Sequence, residues 1–152
     1  AEHLVMGHLL RRNILTYQAP PNHAGYDLLC LHPDSRRQEK PIRVQVKSRY
    51  QTDCDRAFPV KAKTFDLFDY LIIVFLNNGF YFNKNKPVLE GLREPEFYTL
   101  PLEFIQRHHH QSVSGWERVE TKGQDLTPYR NECGFEQIAV ELGVTYPGLE
   151  AG

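Results

Sequence analysis

The order of apolar and polar residues along the chain predicts alternating helices and strands. Residues 2–13 place apolar side chains at helical spacing, which indicates an amphipathic first helix. Residues 42–48 alternate strictly between apolar and polar, as a half-buried strand does. Further strands are predicted at 14–19, 26–32, 70–76 and 96–100, and helical segments at 61–69, 101–108 and 134–143. This alternation favours an α/β domain.

Turn signals separate these elements. Residues 33–41 form a polar turn between the second and third strands. The Asn-Asn-Gly sequence at 77–79 is a hairpin signal, which predicts a returning strand at 80–83. Residues 109–130 look mostly irregular, with a strand near Trp116. Since no repeat, low-complexity tract or linker interrupts the pattern, we expect one domain over the whole chain.

Length and composition agree with a single globular domain and exclude several classes of protein. The chain has 152 residues, and its longest apolar run, at 71–76, is too short to cross a bilayer. Its start lacks the basic-then-apolar layout of a secretory signal. The three cysteines are widely spaced and form no CxxC pair, as expected for reduced thiols. We therefore expect a cytoplasmic protein with no membrane partner.

Charge is distributed unevenly although the net charge is only −1. Between residues 36 and 63, nine Lys and Arg stand against three acids, a local net of +6. From residue 117 onward, seven acids stand against three bases, a local net of −4. The basic segment is a candidate nucleic-acid surface, although a solvated charged face without a partner explains it as well.

One group of side chains points to chemistry. If the strands on either side of the 33–41 turn pair antiparallel, Asp27 falls opposite Lys47 to within a residue or two, and Gln45 shares a face with Lys47. A carboxylate, an amide oxygen and an ammonium can then converge. Oxygen ligands bind Mg²⁺ or Mn²⁺, which activates water and polarises a phosphate, and a lysine stabilises the charge that develops. The alternatives are an acid at a strand end and the wet face of a half-buried strand.

These residues carry a family resemblance. The segment Tyr26-Asp27-Leu28-Leu29, followed by Arg-Val-Gln-Val-Lys-Ser at 43–48, resembles the core of the PD-(D/E)xK nuclease superfamily in a QxK variant. That superfamily includes Holliday-junction resolvases and restriction enzymes. The resemblance implies a restriction-endonuclease-like core, a mixed β-sheet flanked by helices, over about residues 1–105. Residues 106–152 would then be a C-terminal extension.

The resemblance also implies a role for each matching residue. Asp27 corresponds to the motif aspartate that binds the metal, and Lys47 to the catalytic lysine. Gln45 stands in place of the second acidic ligand, and Glu2 on the first helix is the candidate for a further ligand. Tyr26 occupies the place of the proline that gives the motif its name.

The predicted function is a metal-dependent endonuclease that hydrolyses DNA, with Mg²⁺ or Mn²⁺ as cofactor. Side chains that could contact DNA phosphates lie on or after the third strand, at Arg43, Ser48, Arg49, Lys61 and Lys63. A homodimer is expected if both strands are cut. The alternatives are an inactive module with the same fold that binds nucleic acid or a protein, and an interaction domain without any nucleic-acid role.

Overall fold

A computed structural model of the chain describes residues 1–37 and 39–150. Its helices are α1 (Glu2–Leu10), α2 (Leu102–Arg107), α3 (Glu132–Leu142) and α4 (Pro147–Glu150). Its strands are β1 (Leu15–Gln18), β2 (Leu28–Leu31), β3 (Ile42–Arg49), β4 (Ala57–Pro59), β5 (Tyr70–Phe75), β6 (Glu96–Pro101), β7 (His109–Gln111) and β8 (Glu117–Glu120). Single 3-10 helices span Ala62–Leu67, Val88–Gly91 and Thr127–Tyr129.

The main sheet has five strands in the order β1-β2-β3-β5-β6. β1, β2 and β3 pair antiparallel, β3 and β5 pair parallel, and β6 returns antiparallel to β5. The parallel step requires a crossover, which the chain makes through β4 and the Ala62–Leu67 helix. The predicted α/β class and the mixed sheet flanked by helices are therefore confirmed.

The two faces of this sheet carry separate cores. All six residues of β5 are buried, because this strand is covered on both sides. The first core joins β5 to α1 and α3, through side chains such as Leu9, Val44 and Phe135. The second core lies on the other face, beneath α2 and the small sheet, and includes Phe58 and Ile105.

The predicted last helix is confirmed, and it belongs to the first core. α3 buries Phe135, Ile138, Ala139 and Leu142 against the sheet, as their helical spacing indicated. It ends at Gly143, whose φ of 71° lets the chain leave in a left-handed turn. The segment after residue 105 therefore supplies part of the packing of the main sheet.

A second, three-stranded sheet was mostly missed by the sequence patterns. Its order is β4-β8-β7, and Phe58 of β4 pairs with Val119 of β8. Both side chains are fully buried in the second core. The expected strand near Trp116 exists as β8, but residues 109–111, expected to be irregular, form β7. Strands of three or four residues offer too few positions for alternation to be recognised.

The predicted hairpin after β5 is wrong. Asn77 and Gly79 do adopt positive φ, 54° and 120°, so the chain turns where the signal lies. Residues 80–83, however, form no strand, and the antiparallel neighbour of β5 is β6. The turn opens into a long loop that reaches β6. No described helix has the length and apolar character that a bilayer crossing needs.

Candidate active site

Asp27 is held against β3 by its backbone and its side chain together. The β2–β3 ladder pairs Leu28 with Val44, so the residue before Leu28 falls opposite Gln45. The Asp27 N–H donates to the Val44 carbonyl at 2.8 Å, and Asp27 Oδ2 accepts the Val46 N–H at 2.7 Å. At the end of the ladder, Asp27 Oδ2 thus takes the place of a backbone carbonyl as acceptor. The other carboxylate oxygen, Oδ1, takes no part in this hydrogen bond.

The strand register places Gln45 and Lys47 on one face, with Asp27 opposite Gln45. Val44 belongs to the first core, whereas Gln45 and Lys47 pair with Leu71 and Ile73, which belong to the second. Because side chains alternate along a strand, Gln45 and Lys47 point to the second face of the sheet. Asp27 lies in the bend just before β2, outside the strand, and its negative charge is close enough to act on Lys47. Asp27 lies opposite Gln45, two residues from the position opposite Lys47 and so within the expected range.

Gln45 contributes a buried oxygen that no other described residue satisfies. Its Oε1 is inaccessible to solvent and accepts no hydrogen bond from the part of the chain that the structure describes. Leaving a buried carbonyl oxygen unsatisfied costs about 1–3 kcal/mol. An amide oxygen beside a carboxylate is a pair of hard donors, which suits Mg²⁺ or Mn²⁺. The residues present therefore fit a divalent ion at this position.

A divalent ion at this position would have few protein ligands. Within residues 1–37 and 39–150 no three His, Cys, Asp or Glu side chains cluster as a metal site. A magnesium ion commonly keeps several waters and takes only one or two carboxylates, with substrate phosphates as further ligands. A site built from Asp27 and Gln45 matches that sparse pattern.

Lys47 is a half-buried cation next to this pair of oxygens. Burial lowers the pKa of Lys47, the negative charge of Asp27 partly offsets this, and Arg49 lowers it further. In the described part of the chain Lys47 forms no ion pair with Asp27. The negative charge of Asp27 therefore acts on the ammonium although the two form no ion pair. The ammonium can still donate to a phosphate.

Glu2 lies on a different element from the other three residues. It opens α1, whose buried side chains pack in the first core, on the face of the sheet opposite to Lys47. No hydrogen bond or ion pair among the described residues joins it to Asp27. Its role as a further ligand stays a prediction.

Arg43 has a partner within the protein. Its guanidinium donates to both carboxylate oxygens of Asp69, at 3.1 and 3.2 Å, and to the Asp66 carbonyl at 2.8 Å. Its backbone N–H donates to the same carboxylate at 2.8 Å. Arg43 thus joins β3 to the start of β5, and its availability to DNA is reduced.

The other residues predicted to contact DNA differ in whether their side chains already form contacts within the protein. Arg49 donates to the Ala57 carbonyl at 2.6 Å and stacks over the Phe58 ring at 4.5 Å, which holds β4. Ser48, Lys61 and Lys63 are exposed, so their side chains are accessible to a ligand. Contact of any of these residues with DNA stays a prediction.

Gly25 is a positioning residue that the sequence reasoning overlooked. Its φ is +102°, and a Cβ there would lie 2.3 Å from Leu67 Cβ. Only glycine allows the loop before Asp27 to pass so close to the Ala62–Leu67 helix. The signal was present in the sequence, as a glycine two residues before the motif aspartate.

The fold is that of restriction-endonuclease-like nucleases. One solved structure with this fold is Hjc, the Holliday junction resolvase of Archaeoglobus fulgidus, with a TM-score of 0.51 and 7% identity over 90% of this chain and 98% of the resolvase. Another is the bacterial homing endonuclease I-Ssp6803I, with a TM-score of 0.52 and 18% identity over 94% of this chain and 88% of the endonuclease. No family model and no curated protein sequence matches.

These identities are low enough that the likeness establishes the fold alone. Coverage of 90% or more shows that it extends into the segment after residue 105, which the motif resemblance left unexplained. This agrees with the position of α3 in the first core. The chemistry has to be argued from the side chains of this chain.

Proposed function

We propose that this protein is an endonuclease that hydrolyses DNA phosphodiester bonds with Mg²⁺ or Mn²⁺. The observation that carries the proposal is the buried Gln45 Oε1, to which no described residue donates, on the sheet face of Lys47 and opposite Asp27 in the strand register. The nuclease fold supports it, because the resolvase and the homing endonuclease are DNA nucleases.

In this proposal Asp27 and Gln45 hold the metal. Val46 holds one carboxylate oxygen of Asp27, and the other oxygen would bind the ion together with Gln45 Oε1. The bound ion would polarise the scissile phosphate and lower the pKa of an attacking water. Because Gln45 is neutral, the site carries one negative charge fewer than a pair of carboxylates, and it should bind the metal more weakly.

Lys47 stabilises the charge that builds on the phosphate as water attacks. Its side chain is on the same face as Gln45, and no ion pair among the described residues engages its ammonium. A half-buried ammonium acts at lower dielectric than an exposed one, so its effect on the transition state is larger. The exposed Lys61 and Lys63 would hold neighbouring phosphates.

Nicking of supercoiled plasmid tests the proposal. The protein should nick with Mn²⁺ or Mg²⁺ and stop when EDTA is added. Lys47→Ala should lower the rate at least about 100-fold, the usual cost of removing a preorganised stabilising group. Lys122→Ala, an exposed lysine in the loop after β8, is the matched control and should nick normally. Nicking by Lys47→Ala at the unmodified rate would contradict the proposal.

A second candidate function follows from Gln45 itself. An amide in place of an acid also fits a domain that keeps the nuclease fold but only binds DNA. Such a domain would bind DNA with strong salt dependence, leave it uncut and gain no thermal stability from Mn²⁺. Thermal unfolding with and without Mn²⁺ therefore separates the two functions independently of cleavage.

A further inference from the structure

Three large aromatic side chains are exposed where β3 and β5 end. Tyr50, Tyr81 and Phe82 are 52%, 48% and 66% exposed, and the two tyrosine rings lie 6.0 Å apart. Tyr50 directly follows β3, and the other two lie in the loop after β5. A cluster of aromatic rings left in water marks a binding surface, because burying it against a ligand is favourable.

The loop that presents these rings is held in one shape. The Asp53 carboxylate accepts the backbone N–H groups of Tyr81, Phe82 and Asn83, at 3.0, 2.9 and 2.8 Å. Thr52 Oγ1 accepts the Gly79 N–H at 3.2 Å and donates to the carbonyl of Gly91. The exposed rings therefore stand on a fixed backbone, as a preorganised surface does.

Positive charge surrounds the same loop. Residues 79–93 carry three bases, Lys84, Lys86 and Arg93, against the single acid Glu90, a local net of +2. Lys86 and Arg93 lie 5.2 and 5.7 Å from the Phe80 ring. Among the described hydrogen bonds and ion pairs, none engages these three basic side chains. Their donors remain free for an anion.

The surface lies close to the proposed catalytic lysine. Tyr50 is three residues beyond Lys47, a distance of about 10 Å along extended chain. Stacked bases repeat about every 3.4 Å along a strand, so this distance corresponds to about three nucleotides. Because Tyr50 lies beyond the end of β3, a strand of nucleic acid that passes around this end of the sheet could reach both places.

We propose that Tyr50, Tyr81 and Phe82 form a stacking surface for unpaired nucleobases, with Lys84, Lys86 and Arg93 holding the adjoining phosphates. Base faces inside a duplex are covered by their neighbours, so a protein ring reaches them only where the strand is unpaired. The preferred substrate is DNA with a single-stranded stretch beside the cleaved bond. The cleavage part rests on the proposed function, whereas the binding part does not.

Fluorescence anisotropy with labelled oligonucleotides in EDTA tests the binding part without cleavage. The protein should bind single-stranded DNA more tightly than duplex DNA of the same sequence. Tyr81→Ala and Phe82→Ala should each weaken single-strand binding about tenfold, the value of one stacked base, without changing the salt dependence. Phe82→Trp should preserve binding. Tyr17→Ala is the matched control, because Tyr17 is 53% exposed on the edge strand β1.

The basic side chains should behave differently from the aromatic ones. Lys84→Ala and Lys86→Ala should each make the slope of log binding constant against log salt concentration shallower, by the amount that corresponds to about one phosphate contact. Unchanged single-strand affinity in Phe82→Ala, or an equal loss for duplex DNA, would overturn the stacking surface. Tighter binding of an RNA oligonucleotide of the same sequence would overturn the assignment to DNA.

A protein partner is the competing use of this surface, which continues over the exposed Val88, Leu89 and Leu92. If Phe82→Ala changes the sedimenting mass and leaves DNA affinity intact, the surface is a protein contact and the proposal fails. The two proposals also fail separately. Single-strand binding without nicking would overturn only the nuclease, and nicking with unaffected loop variants would overturn only the stacking surface.

Discussion

Strand β3 carries two cations four residues apart, Arg43 and Lys47, each with an aspartate from a neighbouring segment close to it, and the two pairs are bonded differently. Arg43 and Asp69 form a bidentate ion pair that is supported by the Arg43 backbone. Lys47 and Asp27 are close enough for their charges to interact but form no ion pair with each other. The first pair uses its hydrogen-bonding groups within the protein, whereas in the proposed function the second pair would use them to bind a ligand.

The electrostatics of the two cations differ accordingly. Hydrogen bonding to Asp69 raises the pKa of Arg43, even though burial acts against it. Burial lowers the pKa of Lys47, and the attraction of Asp27 does not compensate. A lowered pKa of a cation is typical of functional sites. A cation whose hydrogen bonds are satisfied by an ion pair is typical of contacts that stabilise the fold.

The largest effects should come from replacing each aspartate by asparagine. Asp27→Asn should lower nicking at least about 100-fold and leave stability nearly unchanged, because the amide oxygen can still accept the Val46 N–H. Asp69→Asn should keep activity and lose about 2 kcal/mol of stability, because charged hydrogen bonds to Arg43 are weakened. Urea unfolding and plasmid nicking measure both properties. A reversed pattern would contradict the assignment of the two pairs.

A smaller effect should follow from giving the site a second carboxylate. Gln45→Glu should tighten Mn²⁺ binding by about tenfold, because an anionic ligand replaces a neutral one. The readout is the rise in thermal unfolding temperature as Mn²⁺ is titrated. Without metal the variant should be less stable, since two carboxylates then face each other on the sheet. An unchanged response to Mn²⁺ would show that Gln45 is not a ligand.

The smallest effect should be the pH dependence of stability. Burial raises the pKa of Asp69, but hydrogen bonds and the charge of Arg43 outweigh it, so the folded pKa lies below 3.8. The stability from this pair is therefore fully present above about pH 4 and is lost as pH falls through the folded pKa. Asp69→Asn should flatten the acid limb of the stability profile measured by urea unfolding.

Lys47 should affect the alkaline limb of the stability profile, because its charged form destabilises the fold whereas the charged form of Asp69 stabilises it. The folded pKa of Lys47 lies below 10.5, so the unfolded chain binds its proton more tightly. Stability should therefore rise as pH increases through the folded pKa towards 10.5. Lys47→Met should remove this rise, and a variant that keeps it would contradict the burial of the ammonium.

The sequence predicted the elements whose pattern repeats over several residues. The alternation in 42–48 identified β3, and the helical spacing of Phe135, Ile138 and Leu142 identified α3. The sequence did not predict β4 and β7, which have three residues each and depend on partners far along the chain. It also misjudged residues 80–83, because the bonds that shape them come from Thr52 and Asp53.

The sequence predicted which residues belong to the candidate site better than it predicted how they are arranged. Asp27, Gln45 and Lys47 could be named because their spacing resembles a nuclease motif and a strand alternates with period two. The observed register, with Asp27 opposite Gln45, lies within the expected range of a residue or two, but the hydrogen bond from the Val46 N–H to the Asp27 side chain was not predicted. The internal partner of Arg43 was not foreseeable, because Asp69 lies 26 positions away and meets it only through the parallel pairing of β3 and β5.

The Asp53 carboxylate that binds three consecutive amides has a consequence for the speed of recognition. A loop that is ordered before its ligand arrives loses little conformational entropy on binding, because that loss has already occurred during folding. Encounters then need no slow rearrangement of the protein, and the association rate is limited by diffusion and orientation. Asp53→Ala should therefore slow association with single-stranded DNA, although Asp53 itself touches no nucleotide.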